Sequence, residues 1–312
     1  MKCIIFGGAG FLGEHLGKAL IENGHEVVVY DRASEKVETL KEKYPTINYQ
    51  TGDFNSENNF NEIIDSNEII FHLISTTVPS NLDTVWDVTS NVLPTLRLLE
   101  ACRENGKIKK IIYFSSGGTV YGKPNIIPIP EIHDTNPICS YGVQKLIIEK
   151  YLFFYYQFYG LNYSIMRIAN PYGEGQAPFG AQGVIAAFLA RALSGDSLKI
   201  WGETSTIRDF IYVGDVIKAS LDCLEYNGIE KIFNIGSGIG VSLQDIINEI
   251  KIVVDNKVLI EQCEARKQDV PVNILNISKA KHELKWVPKV NLSEGIGRMK
   301  NSWNEDKKCF II

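Results

Sequence analysis

Two hydrophobic periods alternate along the first half of this chain. Short runs rich in Ile, Val and aromatic residues stand at 2–6, 26–30, 47–50, 69–73, 111–114 and 163–167. The run at 26–30, EVVVY, is apolar at consecutive positions, as a strand covered on both faces requires. Between the runs the apolar residues shift to the period of a helix. This is clearest over 11–23, which Gly24 closes. Strands alternating with helices predict an α/β fold: a doubly wound parallel sheet with right-handed crossovers.

After Asn170 the texture changes. NPYGEGQAPFGAQG is a long Gly/Pro-rich loop, and such loops inside compact chains are usually functional; 184–194 follows as a helix. IRDFIYVGDV and KIFNIGSG read as short strands that return to the first lobe. Ser242 caps an amphipathic helix over 243–254. The predicted division is a first lobe over 1–169, rejoined by segments around 207–240, and a smaller α+β lobe made mainly of 170–312.

With 312 residues the chain is long for one core and natural for two lobes. Hydrophobic residues make up 45% and charged residues 22%, an ordinary soluble balance. The net charge is −5, with Lys and Arg dispersed among acids, so no nucleic-acid partner is expected. In MKCIIFGGAG the apolar run is cut short by glycine, which makes it a strand and not a signal peptide. No run of apolar residues is long enough to span a membrane. The six cysteines form no C-x2-C pair, which argues against a zinc or redox motif and fits a cytoplasmic location. Cys309-Phe310-Ile311-Ile312, after Lys307-Lys308, has the form of a prenylation box. With nothing else pointing to a membrane, it reads as a frayed tail.

Chemistry enters at the first strand-to-helix turn, Gly7-Gly8-Ala9-Gly10-Phe11-Leu12-Gly13. Gly7 permits the tight turn, Gly10 lets backbone approach a pyrophosphate, and Gly13 lets the helix pack on the strand. The N–H groups that open the helix suit an anion. A glycine triplet in this context makes the sheet Rossmann-type. Asp31, closing the second run, suits an adenosine ribose and repels a 2′-phosphate, so NAD is expected. Arg32 beside it keeps NADP as the lesser alternative.

SYGVQK sets Tyr141 and Lys145 four apart, on one face of a helix. An ammonium beside a phenol stabilises the phenolate, which makes the tyrosine a usable base near neutral pH. With GGAGFLG, Asp31, TGDF, FHLIS, Asn91, FSSGGTVYG, YGVQK, RIANPYG, RDFIYVGD and RKQD in this order, the chain resembles the extended short-chain dehydrogenase/reductase family. Within it, the nearest pattern is that of nucleotide-sugar epimerases and dehydratases, UDP-glucose 4-epimerases in particular, over 2–292.

The resemblance implies roles. Asp53 and Phe54 would lie by the adenine. Leu73, Ile74, Ser75 and Ser115 would line the cofactor, and Asn91 would stand near the catalytic strand. Tyr141 would be the acid/base, and Lys145 would hold the nicotinamide ribose and tune Tyr141. Asn170, Arg208 and Arg266 would grip the diphosphate of a nucleotide sugar, UDP-linked by the same resemblance; an arginine fork suits phosphate oxygens. For Arg208 a salt bridge to Asp209 or Asp215 is the alternative. The implied reaction is transient oxidation at the sugar C4 and re-reduction from the opposite face.

The chain also departs from that pattern. Family epimerases carry Ser or Thr where Gly117 stands. Strand alternation puts Tyr113, Ser115, Gly117 and Thr119 on one side, with Ser116 and Gly118 opposite. Thr119, swinging into the space left at Gly117, is then the first candidate for the missing hydroxyl, Ser116 the second and a water the third. Gly117-Gly118-Thr119 holds no carboxylate, so dehydration and decarboxylation are disfavoured. A 4-epimerase and a reductase of 4-keto sugar nucleotides both survive; a non-catalytic dinucleotide sensor is the reading from another class. Gln144, Gln268 and Pro94 depart too. Asn273, seven past Arg266, would border the sugar C2 substituent and leave room for an N-acetyl group. YLFFYYQFYG is apolar almost all round, so its helix needs a second cover, and a homodimer is expected.

Overall fold

The computed structural model describes residues 1–178, 183–201, 203–254, 258–263 and 270–305. Its strands are β1 Lys2–Phe6, β2 Glu26–Asp31, β3 Asn48–Thr51, β4 Ile69–His72, β5 Lys110–Ser116, β6 Tyr163–Ile168, β7 Asn170–Tyr172, β8 Leu198–Trp201, β9 Ile207–Tyr212, β10 Ile232–Ile235, β11 Gly240–Ser242, β12 Ile260–Cys263 and β13 Val272–Asn273. The helices of the first half are α1 Phe11–Glu22, α2 Glu35–Lys43, α3 Phe60–Ile64, α4 Thr84–Asp87, α5 Leu93–Asn105 and α6 Ser140–Tyr159. Those of the second half are α7 Val184–Ser194, α8 Val213–Glu225, α9 Leu243–Val254, α10 Ser278–Glu283 and α11 Leu292–Glu305.

Seven parallel strands form the main sheet, in the order β10-β6-β5-β4-β1-β2-β3. Each central strand is apolar on both faces because both faces are covered. Ile5, Ile112 and Phe114 face Leu16 and Leu20 of α1 and Val216 of α8. Ile4, Phe6, Ile111 and Tyr113 face Leu98 of α5 and Ile148 and Leu152 of α6. The strand order reverses between β1 and β4, so a crevice opens at their carboxyl ends, the usual ligand position in such sheets.

Of the two segments expected to return after residue 207, KIFNIGSG supplies a strand of the main sheet and IRDFIYVGDV does not. β10 takes the free edge of β6, and α8 packs against α1. With that edge filled, β9 pairs instead with β7, β11 and β13 in a second small sheet. β7 also means that the Gly/Pro-rich loop begins as a strand. A π-helical segment, Val88–Val92, joins α4 to α5. Pro94, which has no N–H to donate, follows directly in the first turn of α5.

Candidate active site

At Gly7 the chain leaves β1 with φ +88°, a conformation that glycine takes without strain. A Cβ on Gly13 would lie 2.3 Å from the Gly7 carbonyl oxygen, so only glycine lets α1 seat against the loop. Gly10 is open: beyond its chain neighbours, only the Gly7 oxygen, at 3.2 Å, lies near the place of its Cβ. The N–H groups of Phe11, Leu12 and Gly13, in the first turn of α1, therefore face the crevice end of β1. Asp31 accepts hydrogen bonds from Ala9 N (2.9 Å) and Arg32 N (2.8 Å), so it braces the loop from the end of β2. Arg32 is exposed beside it. An open glycine cradle, a helix N-terminus and a carboxylate at the second strand end fit a dinucleotide.

Several residues expected around the cofactor also make contacts within the protein. The Phe54 ring is buried in the core, 5.6 Å from Phe6 and 5.2 Å from Phe60 between centroids. Asp53, its neighbour, is exposed and accepts from Asn55 N (3.1 Å). Ser115 is buried and donates to Glu149 Oε1 (2.5 Å). Asn91, buried in the π segment, accepts from Thr76 N (2.8 Å) and so holds the loop that follows β4. In that loop Leu73 N donates to Phe6 O (3.0 Å), and Ile74 lies against Gly7.

Tyr141 and Lys145 share a face of α6, as their spacing predicts. Gly142 between them is required. A Cβ there would come within 2.8 Å of Pro137 and 2.9 Å of the Thr119 carbonyl, so the Thr119 turn packs directly on the start of α6. Lys145 Nζ lies 5.7 Å from the Tyr141 ring centroid and 5.0 Å from that of Tyr113, and donates to Phe114 O (2.9 Å). Burial pushes the Lys145 ammonium down to about 8, against an opposing pull from Glu149. Burial pushes the Tyr141 phenol up to about 12. The sequence reading missed Glu149, one turn beyond Lys145. It forms a buried ion pair with Arg167 (2.6 Å), which also donates to Tyr121 Oη (3.0 Å). The signal for Glu149 was the same four-residue step that identified the Tyr/Lys pair.

The glycines at the strand end take a form that alternation does not describe. β5 stops at Ser116. Gly117 N still donates to Ile168 O (2.8 Å), but Thr119 N and Val120 N turn back to Ser116 O (3.4 and 3.2 Å). Thr119 therefore lies in a turn and not on the face of Tyr113. Nor is the space at Gly117 vacant: a Cβ there would lie 2.5 Å from Leu275 Cδ1 and 3.0 Å from Arg167 O. Gly118 is the open position, with Ser116 Oγ, at 3.9 Å, the neighbour nearest to the place of its Cβ. Thr119 Oγ1 is buried with no partner among the described residues, and Ser116 is partly exposed.

On the far side, Asn170 Nδ2 donates to Asp209 O (2.8 Å), and Arg208 Nη1 donates to Ile207 O (3.0 Å). The Asp209 carboxylate accepts from Ser237 N (2.7 Å), Gly238 N (3.1 Å) and Leu275 N (3.2 Å), binding the small sheet to the segment that fills Gly117. Asn273 stands opposite Arg208 on β13. It is buried, donates to Gly117 O (3.3 Å), and leaves its Oδ1 without a partner among the described residues. Arg266, Gln268 and the Cys309 box lie outside the described residues.

Comparison with known proteins agrees with this geometry. Residues 3–236 match the model of the NAD dependent epimerase/dehydratase family. A UDP-glucose 4-epimerase structure from Thermotoga maritima, with UDP-glucose, is 35% identical; it covers 98% of this chain and 100% of its own at a TM-score of 0.91. An Escherichia coli dTDP-4-dehydro-6-deoxyglucose reductase is 35% identical over 95% of each chain. A UDP-N-acetylglucosamine 4-epimerase from Methanobrevibacter ruminantium, in complex with UDP-N-acetylmuramic acid, is 26% identical over 98% of each chain, with a TM-score of 0.91.

Proposed function

The chain belongs to the NAD dependent epimerase/dehydratase family, and from that premise we propose that it is a 4-epimerase of UDP-linked hexoses or N-acetylhexosamines. The observation that carries the reading is the Tyr141–Lys145 pair beside a strand end that offers hydroxyls and no carboxylate. Bound NAD supplies reversible acceptance and return of hydride at the sugar C4. The glycine cradle, the α1 N-terminus and Asp31 hold it. Tyr141 removes the proton of the 4-hydroxyl and later returns it to the same oxygen, when C4 has been re-reduced from its opposite face. Lys145 holds the nicotinamide ribose and favours the phenolate. Ser116 or Thr119 hydrogen-bonds the sugar oxygen. Ser116 is partly exposed beside the open Gly118, and Thr119 has a hydroxyl without a partner among the described residues, against the start of α6. Asn170, Arg208 and Arg266 grip the diphosphate. The small Asn273, with its free carbonyl oxygen, supports acceptance of an N-acetyl group.

The E. coli relative favours one second reading, reduction of a 4-keto sugar nucleotide by the same residues. Purified protein given UDP-galactose or UDP-N-acetylglucosamine and no external cofactor separates the two. An epimerase interconverts the C4 epimers with no net NADH; a reductase stays silent until given NAD(P)H and a 4-keto sugar. The reading includes a homodimer, supported by the face of α6 turned from the sheet, where Phe154, Phe158 and Tyr159 are exposed. It also includes a cytoplasmic location. The five described cysteines are free thiols, and no helix among the described residues is long and apolar enough to cross a membrane.

A further inference from the structure

Lys145 is buried, and something must offset the cost of burying its ammonium. One of its N–H groups donates to Phe114 O (2.9 Å). Glu149, the carboxylate one turn along α6 that draws on it, is committed elsewhere: it accepts from Ser115 (2.5 Å) and pairs with Arg167 (2.6 Å). What stands against the ammonium is an aromatic ring. Lys145 Nζ lies over the face of Tyr113, 5.0 Å from the centroid, and 5.7 Å from that of Tyr141. A cation within about 6 Å of a ring centroid is drawn to the negative face of the ring, the more so where water is absent.

Tyr113 is held firmly in the middle of β5, in register with His72 of β4 and Ile165 of β6. Its ring is fully buried, 5.4 Å from the His72 imidazole between centroids. His72 Nε2 lies 2.8 Å from Thr95 Oγ1, whose own proton goes to Asn91 O (2.6 Å), so Nε2 carries the imidazole proton. Burial, and after it the charge of Lys145, push the His72 imidazolium down to about 3, which leaves this neighbour uncharged. The Tyr113 hydroxyl has no partner among the described residues, so hydrogen bonding does not account for the ring at this position.

We propose that Tyr113 is a positioning residue for Lys145, its ring face holding the ammonium beside Tyr141 in the place of a counter-ion. The choice of a ring matters to the neighbouring phenol. A carboxylate against Lys145 would hold the ammonium too, but its negative charge would oppose the Tyr141 phenolate that Lys145 has to support. A ring offsets burial and adds no net charge. The titratable groups that face Lys145 among the described residues are Tyr141 and Glu149 on its own helix, Tyr113 on β5 and His72 on β4. His72 and both tyrosines are neutral near neutral pH, and Glu149 is turned to Arg167.

This role rests on Lys145 serving the reaction proposed above, and the experiment keeps the two apart. Lys145 is titrated by NMR in cofactor-loaded protein with isotope-labelled lysine side chains, Lys145→Met being the blank. The pH profile of C4 epimerisation is recorded in parallel. Two variants retain a ring of similar size. Tyr113→Phe keeps the negative face and should leave the titration, the profile and the Tm as in the parent. Tyr113→pentafluorophenylalanine reverses the charge on the face. It should move the Lys145 titration downward by about one pH unit. The basic limb of kcat, where the ammonium is lost, should move down with it, and turnover on that limb should fall about tenfold. A titration and a basic limb that coincide in the two variants overturn the proposal, whatever the change in stability. A parent protein that interconverts no C4 epimers overturns instead the reading of the reaction, and the Lys145 titration still decides whether the ring holds the ammonium.

Discussion

At the scale of single residues, two positions carry testable consequences. Gly117 is held by its neighbours. A serine there would set its Cβ 2.5 Å from Leu275 Cδ1, inside a filled core. Gly117→Ser should cost about 1–3 kcal/mol in urea unfolding, as overpacking does. Leu275→Ala opens a cavity by itself, yet the double variant should lose less than the sum of the two, because each relieves the other. Additive losses would mean that Leu275 is not what excludes a side chain from 117. Lys145 is the second case. Its folded-state value of about 8 lies below the usual 10.5, so the unfolded chain binds the extra proton between those values. The destabilisation from burying the ammonium is therefore full below pH 8 and fades as pH rises toward 10.5. In the cofactor-free protein, the Tm of Lys145→Met relative to the parent should be more favourable at pH 7 than at pH 10. No trend, or the reverse, would reject the desolvated ammonium.

At the scale of elements, α6 does more than carry Tyr141. Its inner face brings Lys145 and then Glu149 against β5 and β6, where Glu149 meets Arg167 and Ser115. Both charges are almost wholly buried, so breaking the pair strands one of them. Arg167→Met should destabilise by about 3–5 kcal/mol, and Glu149→Leu added to it should recover most of that loss. Equal stability of the single and double variants would show that the ion pair is not what holds α6 to β6. α6 itself was legible from the spacing of Tyr141 and Lys145 and from the aromatic run behind them. The Arg167 contact was not. It joins a helix to a strand beyond it in the chain, and no local pattern reports which strand face a buried arginine will use.

At the scale of the molecule, one face of α6 remains uncovered. Phe158 is 71% exposed and Phe153 53%, values that solvent alone does not favour for such side chains. A second copy placing its own α5 and α6 there would bury them. Phe158→Glu should then shift sedimentation at micromolar concentration from dimer toward monomer, with the fold retained by circular dichroism. A parent protein that sediments as a monomer would refute the dimer.

What the sequence by itself determined is whatever depends on local chemistry. The first six strands of the main sheet fall within two residues of their apolar runs. The glycine turn, Asp31 and the Tyr/Lys step stand where their spacing puts them, since helix and strand periods set side-chain direction over a few residues. Tertiary structure alone decided what depends on a distant neighbour. β9 left the main sheet because β10 held the only remaining edge beside β6. Phe54 and Ser115 turned inward because aromatic rings and a buried carboxylate awaited them. The space at Gly117 was filled by Leu275, delivered by the segment that follows β13. Thr77 gained Gln144 as a partner because the loop after β4 meets α6 in space. Packing is a property of segments that meet in space, and adjacency in sequence carries no record of which segments those will be.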